Sequence, residues 1–89
     1  MKGNYIVTRC YVLKQHGIMD VKPPFEFRSQ HKAREFARLC VEGWLKANGI
    51  KPNERNLGIY SPWPWEYKVY ADTESTHYEA EVFLRENGD

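Results

Sequence analysis

Eighty-nine residues allow one domain, and a hydrophobic share of 42% with 15% aromatic residues is enough for a core, which excludes a disordered chain. A formal net charge of +1 excludes the strongly basic surface of a general nucleic-acid grip. The near-neutral total hides an asymmetry: residues 1–65 hold eleven Lys/Arg against five Asp/Glu, and residues 66–89 hold two against seven.

Asn4–Lys14 is rich in β-branched and aromatic residues and reads as a strand. One face carries Tyr5, Val7, Tyr11 and Leu13, the other Ile6, Thr8, Cys10 and Val12. Both are mostly apolar, so the strand is expected inside the sheet, with the helix-facing side left open. Gln15-His16-Gly17 reads as a turn, because Gly17 tolerates a positive φ. Pro23-Pro24 forces extended backbone into a short strand, Phe25–Arg28, that alternates Phe with charge.

Ser29–Asn48 is the clearest element. Ala33, Phe36, Ala37, Cys40, Val41, Trp44 and Ala47 recur at spacings of three and four, which makes one apolar helix face. Ser29 is a good N-cap, and Asn48-Gly49 offers a left-handed stop. Ile50–Asn56 is a polar loop with a helical turn expected after Pro52, and Leu57–Tyr60 a short strand. Ser61-Pro62-Trp63-Pro64 is expected outside the sheet as a stiff, exposed connector, since two prolines remove two ladder donors.

The last two segments read as a hairpin. Trp65, Tyr67, Val69 and Ala71 alternate with Glu66, Lys68, Tyr70 and Asp72; Tyr78, Ala80, Val82 and Leu84 alternate with His77, Glu79, Glu81, Phe83 and Arg85. A loop over 73–76 pairs Asp72 with His77, Lys68 with Glu81, Val69 with Ala80 and Tyr67 with Val82. The expected fold is α+β: a mostly antiparallel sheet of about five strands, order β-β-α-β-β-β, packed on one amphipathic helix.

Little in the chain carries catalytic chemistry. Cys10 and Cys40 fit neither a disulfide framework nor a metal site, and His31 and Cys40 fall on opposite sides of the helix. No metal-ligand spacing or glycine-rich phosphate loop occurs, so no metal, cofactor or catalytic residue is expected. No apolar stretch reaches the length of a membrane span and no secretory leader is read, which leads to an expected cytoplasmic protein without a membrane partner.

Three functional readings remain. The first is a protein-binding module, monomeric or homodimeric. Tyr60, Trp63, Tyr70 and Phe83 would share an outward face as anchors, and Glu79 and Glu81 would steer a partner. The second is a small RNA or single-stranded nucleic-acid-binding protein that uses Lys32, Arg34, Arg38 and Lys46 on the helix. The third is a metal-independent ribonuclease drawing on Arg9, Tyr11, Arg28, His31 and Arg34.

Phe25-Glu26-Phe27-Arg28-Ser29 followed by Lys32-Ala33-Arg34-Glu35-Phe36-Ala37 resembles a pattern common in very small phage proteins. There a strand ends at a Ser cap, an Ala-punctuated amphipathic helix follows, and a β-hairpin closes the chain. Several anti-CRISPR proteins and other phage-encoded inhibitors of host machinery are similar in size and element order. The resemblance implies a non-enzymatic inhibitor that blocks a surface of a host protein or nucleoprotein complex.

Overall fold

The structure of the protein is a computed structural model that describes residues 3–53, 55–64 and 66–86. Alternating apolar residues produce strands β1 (Gly3–Leu13), β2 (Ile18–Phe27), β3 (Leu57–Trp63), β4 (Glu66–Asp72) and β5 (Thr76–Glu86), and the 3.6-residue pattern produces one helix, α1 (Gln30–Ala47). All strand pairs are antiparallel, in the order β2-β1-β5-β4-β3. The helix lies on one face of the sheet, so the fold is the expected α+β arrangement.

Both helix ends follow from local chemistry. Ser29 is extended and its Oγ accepts from the Lys32 N–H at 3.3 Å. At the other end Gly49 takes φ +74°. The Gly49 N–H donates to Lys46 O at 3.0 Å and the Ile50 N–H to Leu45 O at 2.9 Å, the paired bonds of a Schellman stop. Ile50 also packs on the core beside the helix it terminates.

The core forms where α1 meets β1, β4 and β5. Ala33, Ala37, Val41 and Leu45 are fully buried at four-residue spacing, against Val7, Val69, Ala71, Tyr78, Ala80 and Val82. Each fully buried Val or Leu contributes on the order of 1.5–3 kcal/mol. The apolar stripe therefore ends on Leu45, whereas Ala47 is exposed. The alanines have a steric role, because their small side chains let the helix sit close to the sheet. Phe36 fits between Phe25 and Phe27 of β2, with ring centroids 4.9 and 5.1 Å away.

The open question of β1 is decided by this packing. Its Tyr5–Val7–Tyr11 side meets the helix, and its Ile6–Thr8–Cys10–Val12 side points to the helix-free face. β1 is an internal strand, bordered by β2 and β5. The β4–β5 hairpin has the expected register at all four pairs: Asp72↔His77, Lys68↔Glu81, Val69↔Ala80 and Tyr67↔Val82. Trp65, expected on the inward side of β4, lies outside the described residues.

Two proline segments differ from expectation. Strand β2 starts at Ile18 rather than Phe25 and ends at Phe27, with Arg28 in the bend before the helix. Pro23 and Pro24 fall where the register shifts between Val7↔Phe25 and Arg9↔Lys22, opposite Thr8. Strand β3 continues through Ser61 and Pro62 to Trp63, with a register shift between Tyr60 and Trp63, so this segment is a strand end and not a connector. The reason is the same in both cases. β2 and β3 are the two edges of the sheet, where proline at an irregularity removes no ladder bond that a neighbour needs. After Pro52, a single turn closes where Asn53 O accepts from the N–H groups of Asn56 and Leu57.

Candidate functional site

Among the described residues, one helix covers one side of the sheet and no other element covers the opposite face. Cross-strand registers arrange its side chains in rows. One row runs Trp63, Glu66, Phe83, Ile6 and Glu26. The next runs Tyr60, Lys68, Glu81 and Thr8, and the third Gly58, Tyr70, Glu79, Cys10 and Val21. The last, nearest the β4–β5 loop, runs Asp72, His77, Val12 and Met19.

All four expected aromatic anchors lie on this face. Tyr60, Trp63 and Phe83 are 53%, 55% and 39% exposed, unusually high for large apolar side chains brought together. Tyr70 is half-buried and already engaged. Its ring lies over Gly58 of β3, which has no Cβ to obstruct it, and stacks on His77 with centroids 5.8 Å apart. Tyr60, Lys68, Tyr70, His77 and Glu79 line a shallow cleft of about 300 Å³.

The expected steering carboxylates are not bare. Lys68 Nζ lies 3.4 Å from Glu79 and 3.9 Å from Glu81. Burial alone would lower the Lys68 pKa, yet Glu79 and Glu81 outweigh it and hold the ammonium above the ordinary lysine value. His77 bridges Glu79 to a further carboxylate, with Nε2 3.0 Å from Glu79 and Nδ1 3.1 Å from Asp72. Asp72 also meets Lys14 at 2.8 Å. Its carboxyl is held below the ordinary aspartate range, first by the Lys14 hydrogen bond and then by that of His77. The face thus has an apolar end at Trp63–Phe83–Ile6 and a hydrogen-bonded ionic end at Asp72–His77–Glu79.

The basic set on the helix is dispersed by contrast. Arg38 Nε pairs with Glu42 at 3.3 Å, while Lys32 and Lys46 are exposed a helix length apart. Arg34 does not point outward as expected. Its guanidinium sits 4.9 Å above the Tyr67 ring, and Nη2 donates to Pro64 O at 2.7 Å. Gln30 Nε2 donates to the same oxygen at 2.8 Å, so two helix residues tether the turn that follows Trp63. Arg34→Ala is therefore expected to cost about 1–2 kcal/mol in a denaturant melt, from lost packing and a lost hydrogen bond. An unchanged midpoint would show that Arg34 has no structural role.

Three residues of the ribonuclease reading, Arg9, His31 and Arg34, lie apart from one another, while Tyr11 shares the helix-facing side of β1 with Arg9. Arg9 lies over Phe25 at 4.8 Å on the β2 side of the helix, and Arg34 lies over Tyr67 on the β4 side. His31 is strongly exposed, 3.5 Å from Glu35 at the start of the helix. Burial raises the thiols of Cys10 and Cys40 above the ordinary range, in Cys10 with added repulsion from Glu79. Raised thiols are poor nucleophiles at neutral pH. Among the described residues, no group of three or more His, Cys, Asp and Glu side chains is placed to hold a metal ion, and no helix is long and apolar enough to cross a membrane.

Two contributors to the uncovered face escape a reading of the sequence. Met19 and Val21 are 62% and 61% exposed on its β2 border. The alternation in Ile18-Met19-Asp20-Val21-Lys22 was the available signal, masked by the prolines that follow. Comparison with protein-family models, with curated proteins and with solved structures finds no match for the chain.

Proposed function

We propose that this protein acts by binding another protein through the helix-free face of its sheet. The observation that supports this reading is the grouping of exposed Tyr60, Trp63 and Phe83 on one rigid sheet surface, beside a cleft walled by Tyr70. Large aromatic side chains give contact area at low entropic cost, and strands hold them in fixed rows. Carboxylates outnumber cations around them: Glu26, Glu66, Asp72, Glu79 and Glu81 share the face with Lys68, Arg85 and Lys14, the last paired with Asp72. That balance disfavours phosphate backbones and favours a partner whose apolar contact is rimmed by basic residues. The resemblance to phage inhibitors narrows the class to try first: a host protein, or the protein part of a nucleoprotein complex, whose surface this face would block without catalysis.

The test is capture of partners from nuclease-treated bacterial lysate by tagged protein, followed by affinity measurement on whatever protein is retained. A stoichiometric protein that survives moderate salt is expected. Trp63→Ala and Phe83→Ala should each weaken it by roughly tenfold or more, as anchor truncations do, in variants that circular dichroism shows to be folded. Retained nucleic acid alone, lost steeply as salt rises, would overturn the reading, as would a protein partner indifferent to both substitutions.

A further inference from the structure

The cleft on the helix-free face spans three strands, with Tyr60 on β3, Lys68 and Tyr70 on β4, and His77 and Glu79 on β5. Gly58 makes room for it. A side chain there would take the place of the Tyr70 ring, so its absence lets that ring lean over β3 and wall the space that Tyr60 borders. The wall is held from behind. His77 stacks on Tyr70 with ring planes 28° apart, and its nitrogens lie 3.1 Å from Asp72 and 3.0 Å from Glu79. The space, about 300 Å³, is at the small end of the range that ligand groups occupy.

The charges around the cleft select what enters it. Lys68 Nζ lies in its lining, 3.4 Å from Glu79 and 3.9 Å from Glu81. The ammonium repels a cation at close range, and the two carboxylates, with the negative faces of two tyrosine rings, repel an anion. An uncharged ring meets neither objection. It can pack edge to face on Tyr60 and Tyr70, lie along the Lys68 methylenes and present its own face to the ammonium. An aliphatic group fills the same space without the ring contacts or the attraction to Lys68. Among the described residues, the hydroxyls of Tyr60 and Tyr70 have no hydrogen-bond partner in the chain, so both are free for a polar edge. We propose that the cleft takes one uncharged aromatic side chain, Trp, Tyr or Phe, from the protein partner. The inference rests on the protein-binding reading and adds the chemistry of the partner's own anchor. Anchors on the two sides of an interface tend to meet, so a partner ring in this cleft would stand beside the Trp63–Phe83 end.

The probe is N-acetyl-tryptophanamide, titrated into the full chain and followed in its backbone amide spectrum. Saturable shifts are expected at Gly58, Tyr60, Tyr70 and His77. N-acetyl-argininamide and N-acetyl-leucinamide should bind there roughly tenfold more weakly or not at all. Tyr60→Ala and Tyr70→Ala should each weaken the tryptophan probe by roughly tenfold, and Leu39→Ala, on the exposed side of the helix, should leave it unchanged. Tyr60 is 53% exposed, so its truncation keeps the test usable where Tyr70→Ala loses the dispersed spectrum of a folded chain. The absence of saturable shifts overturns the proposal. So do shifts centred on Trp63 and Phe83, equal affinity for the arginine or leucine probe, and indifference to Tyr60→Ala. The two readings fail separately. A captured protein that depends on Trp63 and Phe83, with no binding of the tryptophan probe, overturns this inference and leaves protein binding standing. Binding of the probe with no protein retained from lysate overturns the protein-binding reading, and with it the side chain as occupant.

Discussion

Leu45→Ala should lower the free energy of unfolding by about 2–5 kcal/mol. Leu45 is fully buried and is the last member of the Ala33–Ala37–Val41–Leu45 stripe. Leu45 has a second duty: its carbonyl accepts the Ile50 N–H that closes the helix, and Ile50 packs against the same core. Truncation therefore opens a cavity and loosens the stop together. Leu39→Ala is the matched control, the same chemical change in the same helix at a position 57% exposed. It should change stability by no more than about 0.5 kcal/mol. Urea melts of the two variants decide the matter, and equal shifts would show that the helix does not pack on the face assigned to it.

Gly58→Val is expected to disturb the uncovered face more than any change of a charged residue there. A Cβ at Gly58 would lie 2.6 Å from Tyr70 Oη and nearly as close to Cε2, well inside contact distance. The obstructing atoms are the far end of a side chain, so the ring can swing aside while the backbone remains. Doing so breaks the stacking on His77 and removes one wall of the cleft shared with Tyr60 and Glu79. Overpacking of this kind costs about 1–3 kcal/mol. The double variant Gly58→Val/Tyr70→Ala removes the obstruction and should recover stability relative to Gly58→Val alone, a sign opposite to that of most second truncations. Additive losses would show that Tyr70 does not rest on Gly58. For the binding reading, both variants should weaken partner capture, because Tyr70 leaves its place in each.

Helix α1 and the β4–β5 hairpin were legible because their information is local. The helix is set by periodicity over five turns, a Ser29 cap three residues before the N–H it accepts, and a glycine at the required positive φ. The hairpin register follows from two matched alternations joined by a short loop, in which a slip by one residue would expose Val69 and Ala80 together. From that register the outward side of Tyr70 and Phe83 followed, and the candidate face with it.

What the sequence by itself determined, then, is the element order, both ends of the helix and the pairing of the last two strands. Only the tertiary structure decided which side of β1 meets the helix, because both of its faces are apolar and the choice depends on where α1 lands. It decided that Ser61–Trp63 and Ile18–Pro24 are strands, because proline is excluded from a ladder only where neighbours flank both sides, and the strand order sets which strands are edges. It also turned Arg34 from a surface cation into the tether of the Trp63 turn, since Pro64 and Tyr67 lie thirty or more residues away along the chain. Contacts of that separation leave no periodic trace in the residues between them; they exist only once β4 has been placed beneath the helix.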